Sequence, residues 1–291
     1  MLYTIKNGAM TVTVDSLGAQ LMSITAADGT EYLWNGDKTY WGGRAPVLFP
    51  YVGRLTEDSY TYKGKTYSMG RHGFARHCEF TPIIEEENRL ILAISDNAET
   101  RANYPFAFEF SVAFELEDAT LSITYAVENR TRGSMYFGLG SHPGFRIPLE
   151  EGKSFEDYRL TFRHPGKPNR CLLSENYMNA SRAVPYYLEN GDTLPLRHDL
   201  FDNDAIIFDH MDKTYTLSAG EGSRGVTVHA PKMRYLGVWH TPKTEAPFVC
   251  LEPWVSLPSR DGIVEDFAQQ GDLVHLEPGD MYDNTWTITI F

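Results

Sequence analysis

The sequence predicts an all-β protein, and three observations carry that prediction. Short alternating or β-branched runs recur from end to end, turn pairs separate them, and no stretch keeps an amphipathic helical period over three full turns. In chain order the runs are residues 10–14, 20–24, 90–94, 108–116, 121–127, 226–229 and 286–291, where side chains alternate as the two faces of a strand require. Asp28-Gly29 stands between Leu21-Met22-Ser23-Ile24 and Tyr32-Leu33-Trp34, and Lys63-Gly64 between Tyr60-Thr61-Tyr62 and Thr66-Tyr67. Glu117-Asp118 divides the two longest alternating runs. Each pair predicts a hairpin. The helix-compatible stretches are brief, residues 97–103 and part of 175–183.

No Ser/Gly/Pro-rich linker or charge block divides the chain, and no 20–50 residue repeat is visible. These features predict one large domain over residues 1–291. The long irregular segments 36–54 and 171–200 are expected to carry the site, because binding groups tend to sit on loops over a rigid sheet.

Lys+Arg 26 against Asp+Glu 39 gives a net charge of −13, and the basic residues form no run. That excludes a nucleic-acid partner as the default and favours a small neutral or modestly charged one. Residues 1–13 hold no apolar stretch of signal-peptide length, and no window approaches the roughly 20 apolar residues of a membrane span. Cys78, Cys171 and Cys250 are widely spaced with no Cys-x-x-Cys, which supports neither a disulfide framework nor a zinc knuckle. The expectation is a protein that starts where the sequence starts, works in a reducing cytoplasm and needs no membrane.

Absent motifs remove whole reaction classes. There is no phosphate-binding Gly-x-x-x-x-Gly-Lys-Ser/Thr loop. Gly138-Leu139-Gly140-Ser141-His142-Pro143-Gly144 matches neither the dinucleotide fingerprint nor the Gly-x-Ser-x-Gly elbow. His72 and His77 are five residues apart, on opposite faces of a strand or roughly 140° apart on a helix, so they are not placed to share a metal.

Three contexts remain in which a titratable side chain is hemmed in by Gly, Pro and aromatics. In Gly70-Arg71-His72-Gly73-Phe74-Ala75-Arg76 the histidine is expected on a reachable surface loop, either simply solvated or acting as a general acid or base. In Gly138-Leu139-Gly140-Ser141-His142-Pro143-Gly144-Phe145 three glycines and a proline predict an unusual backbone path around one imidazole. In Phe248-Val249-Cys250-Leu251-Glu252-Pro253-Trp254 a buried-looking strand ends in a carboxylate, which either faces water or sits in apolar surroundings with a raised pKa. Trp34, Tyr40, Trp41, Phe74, Phe145, Trp239 and Trp254 fall near these loops. Flat rings beside hydrogen-bonding groups suit a pyranose, whose CH faces stack while its hydroxyls bond, although aromatics also serve as core packing.

The order Arg54, His72 in His-Gly-Phe-Ala-Arg, His142 in Gly-Ser-His-Pro-Gly-Phe and Glu252 in Leu-Glu-Pro-Trp resembles the aldose 1-epimerase (galactose mutarotase) superfamily, and more narrowly its lacX-type branch. Further matching landmarks are Trp34-Asn35-Gly36, Pro46-Val47-Leu48-Phe49-Pro50 leading to Gly53-Arg54, Asn203-Asp204-Ala205-Ile206-Ile207-Phe208 and Leu276-Glu277-Pro278-Gly279. The resemblance covers nearly the whole chain. It implies a large antiparallel β-supersandwich with the sugar in an open cleft, and interconversion of α and β anomers of an aldose with no cofactor and no metal.

By similarity, Glu252 is the base that takes the C1 hydroxyl proton and His142 the acid that protonates the ring oxygen. His72 lies near the ring oxygen, Arg54 on sugar hydroxyls, and an aspartate on further hydroxyls, Asp204 being preferred over its neighbours Asp202 and Asp209. Phe74 and Trp239 are the rings expected against the sugar. Positioned acid and base groups typically contribute 10² to 10⁴-fold, so no activated nucleophile is required. The sequence departs from the better-known galactose mutarotases in the Gly-Phe after His72 and the Gly-Ser before His142, which bears on sugar specificity. His-Gly-Phe-Ala-Arg also resembles the hexose-6-phosphate mutarotase branch, with Arg44 and Arg76 as candidate phosphate ligands. The other readings are a non-catalytic sugar binder or sensor on the same fold, and a lyase or hydrolase using Tyr235 or Asp261 beside Glu252. The expected partner is a small-molecule sugar, with the chain a monomer or homodimer.

Overall fold

The computed structural model describes residues 1–291, and the longest alternating runs form its longest strands. Phe108–Glu117 buries Phe108, Phe110, Val112, Phe114 and Leu116 and turns the side chains between them outward. Thr120–Asn129 does the same with Leu121, Ile123, Tyr125 and Val127, and pairs with it antiparallel so that Leu121 faces Leu116 and Ile123 faces Phe114. One face of each strand therefore meets the core and the other meets solvent. On the outer face threonines meet across strands, Thr124 with Thr285 at 2.8 Å and Thr216 with Thr227 at 2.9 Å.

These strands belong to a nine-stranded antiparallel sheet in the order Thr193–Pro195, Arg159–Phe162, Thr214–Ser218, Gly225–His229, Met281–Ile290, Thr120–Asn129, Phe108–Glu117, Arg89–Ser95, Thr81–Glu85. A second antiparallel sheet runs Asn179–Pro185, Asn169–Leu173, Ile206–Asp209, Tyr235–Trp239, Phe248–Trp254, Gly140–Ser141, Val47–Leu48, with Gly144–Arg146 also on Phe248–Trp254. Their facing sides share one core: Phe49, which follows Val47–Leu48, stacks on Phe110 at 4.4 Å, and Phe208 meets Phe162 edge-on at 6.4 Å. Smaller sheets flank the pair, formed by Leu2–Lys6, Met10–Asp15 and Gln20–Ala26, by Met135–Phe137 with Val274–Leu276, and by Ser59–Tyr62 with Lys65–Ser68.

The central strands of the second sheet are buried on both sides, and their period-two register assigns each residue a side. Along Phe248–Trp254 all seven residues are buried. Val249 and Leu251 join the main core, whereas Phe248, Cys250 and Trp254 lie in two smaller clusters on the other side. Leu236 and Val238 point to the core, Tyr235 and Trp239 away from it. The side turned away from the core carries the site.

The three predicted hairpins are present: Ser59–Tyr62 pairs with Lys65–Ser68, Phe108–Glu117 with Thr120–Asn129, and Tyr32 N–H reaches the Ile24 carbonyl across Asp28-Gly29 at 2.9 Å. The helix-compatible stretch 97–103 forms the helix Ala98–Asn103, with Asn97 Oδ1 accepting from the N–H groups of Glu99 and Thr100. The second such stretch is corrected. Residues 179–185 form the strand Asn179–Pro185 on Asn169–Leu173, because a turn at Ser174 to Met178 folds the chain back and ladder pairing overrides local propensity. No helix is long and apolar enough to cross a membrane.

Candidate active site

A cleft of about 410 Å³ opens on the side of the second sheet away from the core. Arg54, His72, His142, Asp204, Trp239 and Glu252 all line it, although the first and last stand 198 positions apart in sequence (252 − 54). Glu252 comes from the buried strand Phe248–Trp254. His142 comes from the short segment between Gly140–Ser141 and Gly144–Arg146, both of which pair with that strand. A Cβ at Gly140 would sit 2.7 Å from the Trp254 ring, so glycine is what lets this segment lie against the strand. Gly138, Gly140 and Gly144 all keep ordinary φ. The expected unusual backbone path is thus corrected, since these glycines serve close approach.

His142 Nε2 stands 3.3 Å from Glu252 Oε2. Glu252 is 1% and His142 9% exposed. Neither Glu252 Oε2 nor His142 Nδ1 has a hydrogen-bond partner, so both are free for a ligand or left unsatisfied. Burial, reinforced by the nearby Asp204 carboxylate, pushes the Glu252 pKa well above its ordinary value. Burial, with a further contribution from Arg76, pushes His142 down to about 3. These two shifts favour the neutral pair, one proton on Glu252 beside an uncharged imidazole.

The imidazole is held by packing. Trp41 stacks on it at 4.8 Å, and Trp239 meets it edge-on at 5.4 Å. Trp41 is placed in turn by Trp34, whose Nε1–H donates to the Trp41 carbonyl at 2.8 Å, and Tyr40 by Thr241, whose hydroxyl donates to the Tyr40 carbonyl at 2.9 Å.

His72 is half-buried on a loop of fixed geometry. Gly53 N–H donates to His72 Nδ1 at 3.0 Å, and His72 N–H donates back to the Gly53 carbonyl at 2.8 Å. Its pKa lies well below the ordinary histidine value, because of burial first and then of His142, Arg76 and Arg54. A neutral ring that accepts at Nδ1 carries its proton on Nε2, which makes it a donor. The next residue, Gly73, has φ of +71°, and a Cβ there would be 2.2 Å from the Phe49 carbonyl. The loop is thereby pinned to the core. Of the three nearby aspartates only Asp204 lines the cleft; Asp202 is exposed, and Asp209 pairs with Arg234 at 3.3 Å.

Not every expected residue arrives. Phe74 points away from the cleft and packs on Phe49, Tyr104 and Phe108, so its place among the sugar-facing rings is corrected. Phe145 is wholly buried in the main core, while Trp34 stacks on Phe248. Tyr40, Trp41, Trp239 and Trp254 do line the cleft. Arg44 is corrected too: its guanidinium donates to the Met22 carbonyl at 2.5 Å, outside the cleft, whereas Arg76 lines it. Arg71 and Tyr177 were missed. Arg71 adjoins His72, a signal available in sequence, but Tyr177 sits in a turn with no motif, its ring 5.8 Å from the Arg54 guanidinium. His142, Cys250 and Glu252 offer ligand atoms within 4.8 Å of one another, a grouping that could hold a metal.

A family model described as aldose 1-epimerase matches residues 1–268. The chain is 34% identical over 305 residues to the chromosomal protein LacX of Lactococcus lactis subsp. lactis, covering 100% of this chain and 99% of the relative. Among solved structures, a galactose mutarotase related enzyme from Lactobacillus acidophilus superposes with a TM-score of 0.95 at 33% identity, covering 100% of this chain and 97% of that one. A galactose mutarotase-like protein from Lactobacillus casei ATCC 334 gives a TM-score of 0.95 at 31% identity, with both chains fully covered. The two-sheet architecture is that of these mutarotase-like sandwiches.

Proposed function

Because the chain belongs to the aldose 1-epimerase family, we propose that it is an isomerase that interconverts the α and β anomers of a hexose, with Glu252 and His142 exchanging protons with the ring. The observation that carries this reading is the pair itself: two buried titratable groups 3.3 Å apart, one of them a carboxylate oxygen with no partner of its own.

The chemistry follows from the proton count. The pair holds one exchangeable proton over two sites. Glu252 as carboxylate takes the C1 hydroxyl proton while imidazolium at His142 gives a proton to the ring oxygen. The bond between C1 and the ring oxygen breaks, leaving an open-chain aldehyde. Rotation about the bond from C1 to C2 presents the other face of the carbonyl, and closure returns both protons. The ion-pair form that starts this sequence is one proton transfer away from the neutral pair. A sugar hydroxyl donating to Glu252 Oε2 favours the carboxylate, since hydrogen bonds to the charged form lower its pKa. His72, as an Nε2–H donor, suits the ring oxygen or a neighbouring hydroxyl. Arg54 and Asp204 suit hydroxyls further round the ring, and Trp239 offers a face for its CH groups. We expect residues 1–291 to act as one domain.

The test is polarimetry of freshly dissolved α-D-glucose and α-D-galactose near neutral pH in weak buffer. Acceleration lost in His142→Ala and Glu252→Gln is the expected outcome. Sugar binding by calorimetry without acceleration would instead favour a binding or sensor protein.

One observation favours a phosphorylated hexose. Ion pairs engage Arg89, Arg101, Arg130, Arg197, Arg224, Arg234 and Arg260, but none engages Arg54, Arg71 or Arg76, all of which line the cleft. Three guanidiniums in the cleft, none in an ion pair, suit an anion held locally, against a net charge of −13 that gives it no general attraction. On this reading Arg76→Ala raises KM for a hexose 6-phosphate at least tenfold and leaves that for the free sugar within about twofold.

A further inference from the structure

Cys250 has no part in the acid and base chemistry, yet it lies beside the pair that does. Along Phe248–Trp254 it is two residues from Glu252, so both side chains leave the same face of the strand. Its Sγ, a ring nitrogen of His142 and a carboxylate oxygen of Glu252 all fall within 4.8 Å of one another. Cys250 is 0% exposed. The backbone beneath these donors is rigid: Cys250 is opposite Gly144 on one side and Trp239 on the other, and Glu252 is opposite Gly237.

We propose that His142 and Glu252, which line the cleft, together with Cys250 buried behind them, bind a thiophilic divalent cation, Zn²⁺ being the ion their donors fit. Occupancy then silences the enzyme by removing both groups of the acid and base pair, a consequence that rests on the mutarotase reading above, whereas the binding itself does not.

The donor chemistry selects the ion. One nitrogen, one sulfur and one carboxylate oxygen form a borderline-soft set that suits zinc, while Mg²⁺ and Ca²⁺ prefer oxygen alone. Three protein ligands leave a fourth position for a water. Tetrahedral bonds of about 2.0–2.3 Å put ligand atoms roughly 3.5 Å apart. The 3.3 Å from His142 Nε2 to Glu252 Oε2 meets that spacing already, and the widest pair in the trio must close by about 1 Å, within reach of a side-chain rotation. Thiolate and carboxylate together cancel the 2+ charge, which allows the ion into a buried place. On binding, the sulfur–hydrogen bond of Cys250 and the oxygen–hydrogen bond of the protonated Glu252 are each replaced by a bond to zinc, and two protons leave to solvent, with no change of oxidation state.

The unsatisfied state of these same donors also points to a ligand here. Glu252 Oε2 is buried with no hydrogen-bond partner. His142 Nδ1 also lacks a partner, so the imidazole has no outer hydrogen bond to support it. Such support is typically worth 10–100-fold in affinity, which makes this a reversible, inhibitory site rather than a structural one.

The experiment titrates Co²⁺, as a spectroscopic stand-in for zinc, into the purified reduced full-length chain. A thiolate-to-cobalt charge-transfer band is expected. Equimolar Zn²⁺ should displace it, it should persist in Cys78→Ser, and it should vanish in Cys250→Ala and in the shape-filling Cys250→Val. Zn²⁺ should also inhibit mutarotation, with chelator restoring it, while Cys250→Ala keeps basal turnover and needs at least tenfold more Zn²⁺ for half inhibition. Absence of the thiolate band at saturating Co²⁺, or its survival in a folded Cys250 variant, overturns the site. If no sugar is turned over at all, the spectra still decide the question.

Discussion

Replacing Glu252 by glutamine keeps the shape of the side chain and removes its ability to take a proton. A positioned base contributes about 10² to 10⁴-fold, or about 2.7 to 5.4 kcal/mol of barrier at about 1.36 kcal/mol per tenfold. The geometry places this variant at the upper end. With His142 Nε2 at 3.3 Å from the Oε2 position, an amide N–H there can donate to that nitrogen, so the substitution occupies the second group while deleting the first. The expected loss is about 10⁴-fold.

Stability should move the other way. Burial holds the folded-state pKa of Glu252 above its unfolded value, so between those two values the folded chain binds more protons than the unfolded one. Wild-type stability then falls as pH rises through that window, by up to about 1.4 kcal/mol per pH unit. Glutamine does not titrate, so its urea midpoint should lose that slope and match or exceed the wild type at the alkaline end. Polarimetry gives the rate, and urea melts between about pH 5 and pH 9 give the slope. A folded Glu252→Gln with turnover within about tenfold of wild type refutes the assignment of the base.

Asp204→Asn removes a like charge that raises the Glu252 pKa. The pair needs one proton to work, so the alkaline limb of the pH–rate profile, where that proton is lost, should move to lower pH; an unmoved limb means that Asp204 does not act on Glu252. Phe49→Ala opens the core between the sheets, where Phe49 stacks on Phe110 at 4.4 Å and meets Phe108 at 5.4 Å. It should lower unfolding free energy by about 3–5 kcal/mol in urea titration, and a loss below about 1 kcal/mol contradicts its place as the joint between sheets.

The legible part of the fold was its long half-buried strands, because a face that must meet both core and water writes period two into the sequence. Phe108–Glu117 and Thr120–Asn129 are such cases. Val47–Leu48 and Gly140–Ser141 were illegible, being two residues long and held by partners far along the chain. Asn179–Pro185 was misread in part as helix for a different reason: its partner Asn169–Leu173 is its neighbour in sequence, but most of its residues are exposed, so no alternation marks it as a strand. In the site, His142 and Glu252 stood out because a titratable residue among glycine, proline and aromatics has few structural explanations. Phe74 did not follow: sequence places it two residues from His72, but the turn at Gly73 sends its ring to the opposite side. Cys250 was passed over because only one of its partners, Glu252, is near it in sequence, and His142 is brought beside them by the sheet.

The strand Met281–Ile290 is the middle strand of the nine-stranded sheet, joining Gly225–His229 to Thr120–Asn129, yet the ribosome makes it after the other eight. While it is still being synthesised, the sheet exists as two halves, and each offers an open edge of unpaired N–H and C=O groups. Nascent chains stalled at this stage would offer those edges to one another before the native strand could arrive. The interval before closure is therefore when this protein is most exposed to aggregation, and when a chaperone has most to protect.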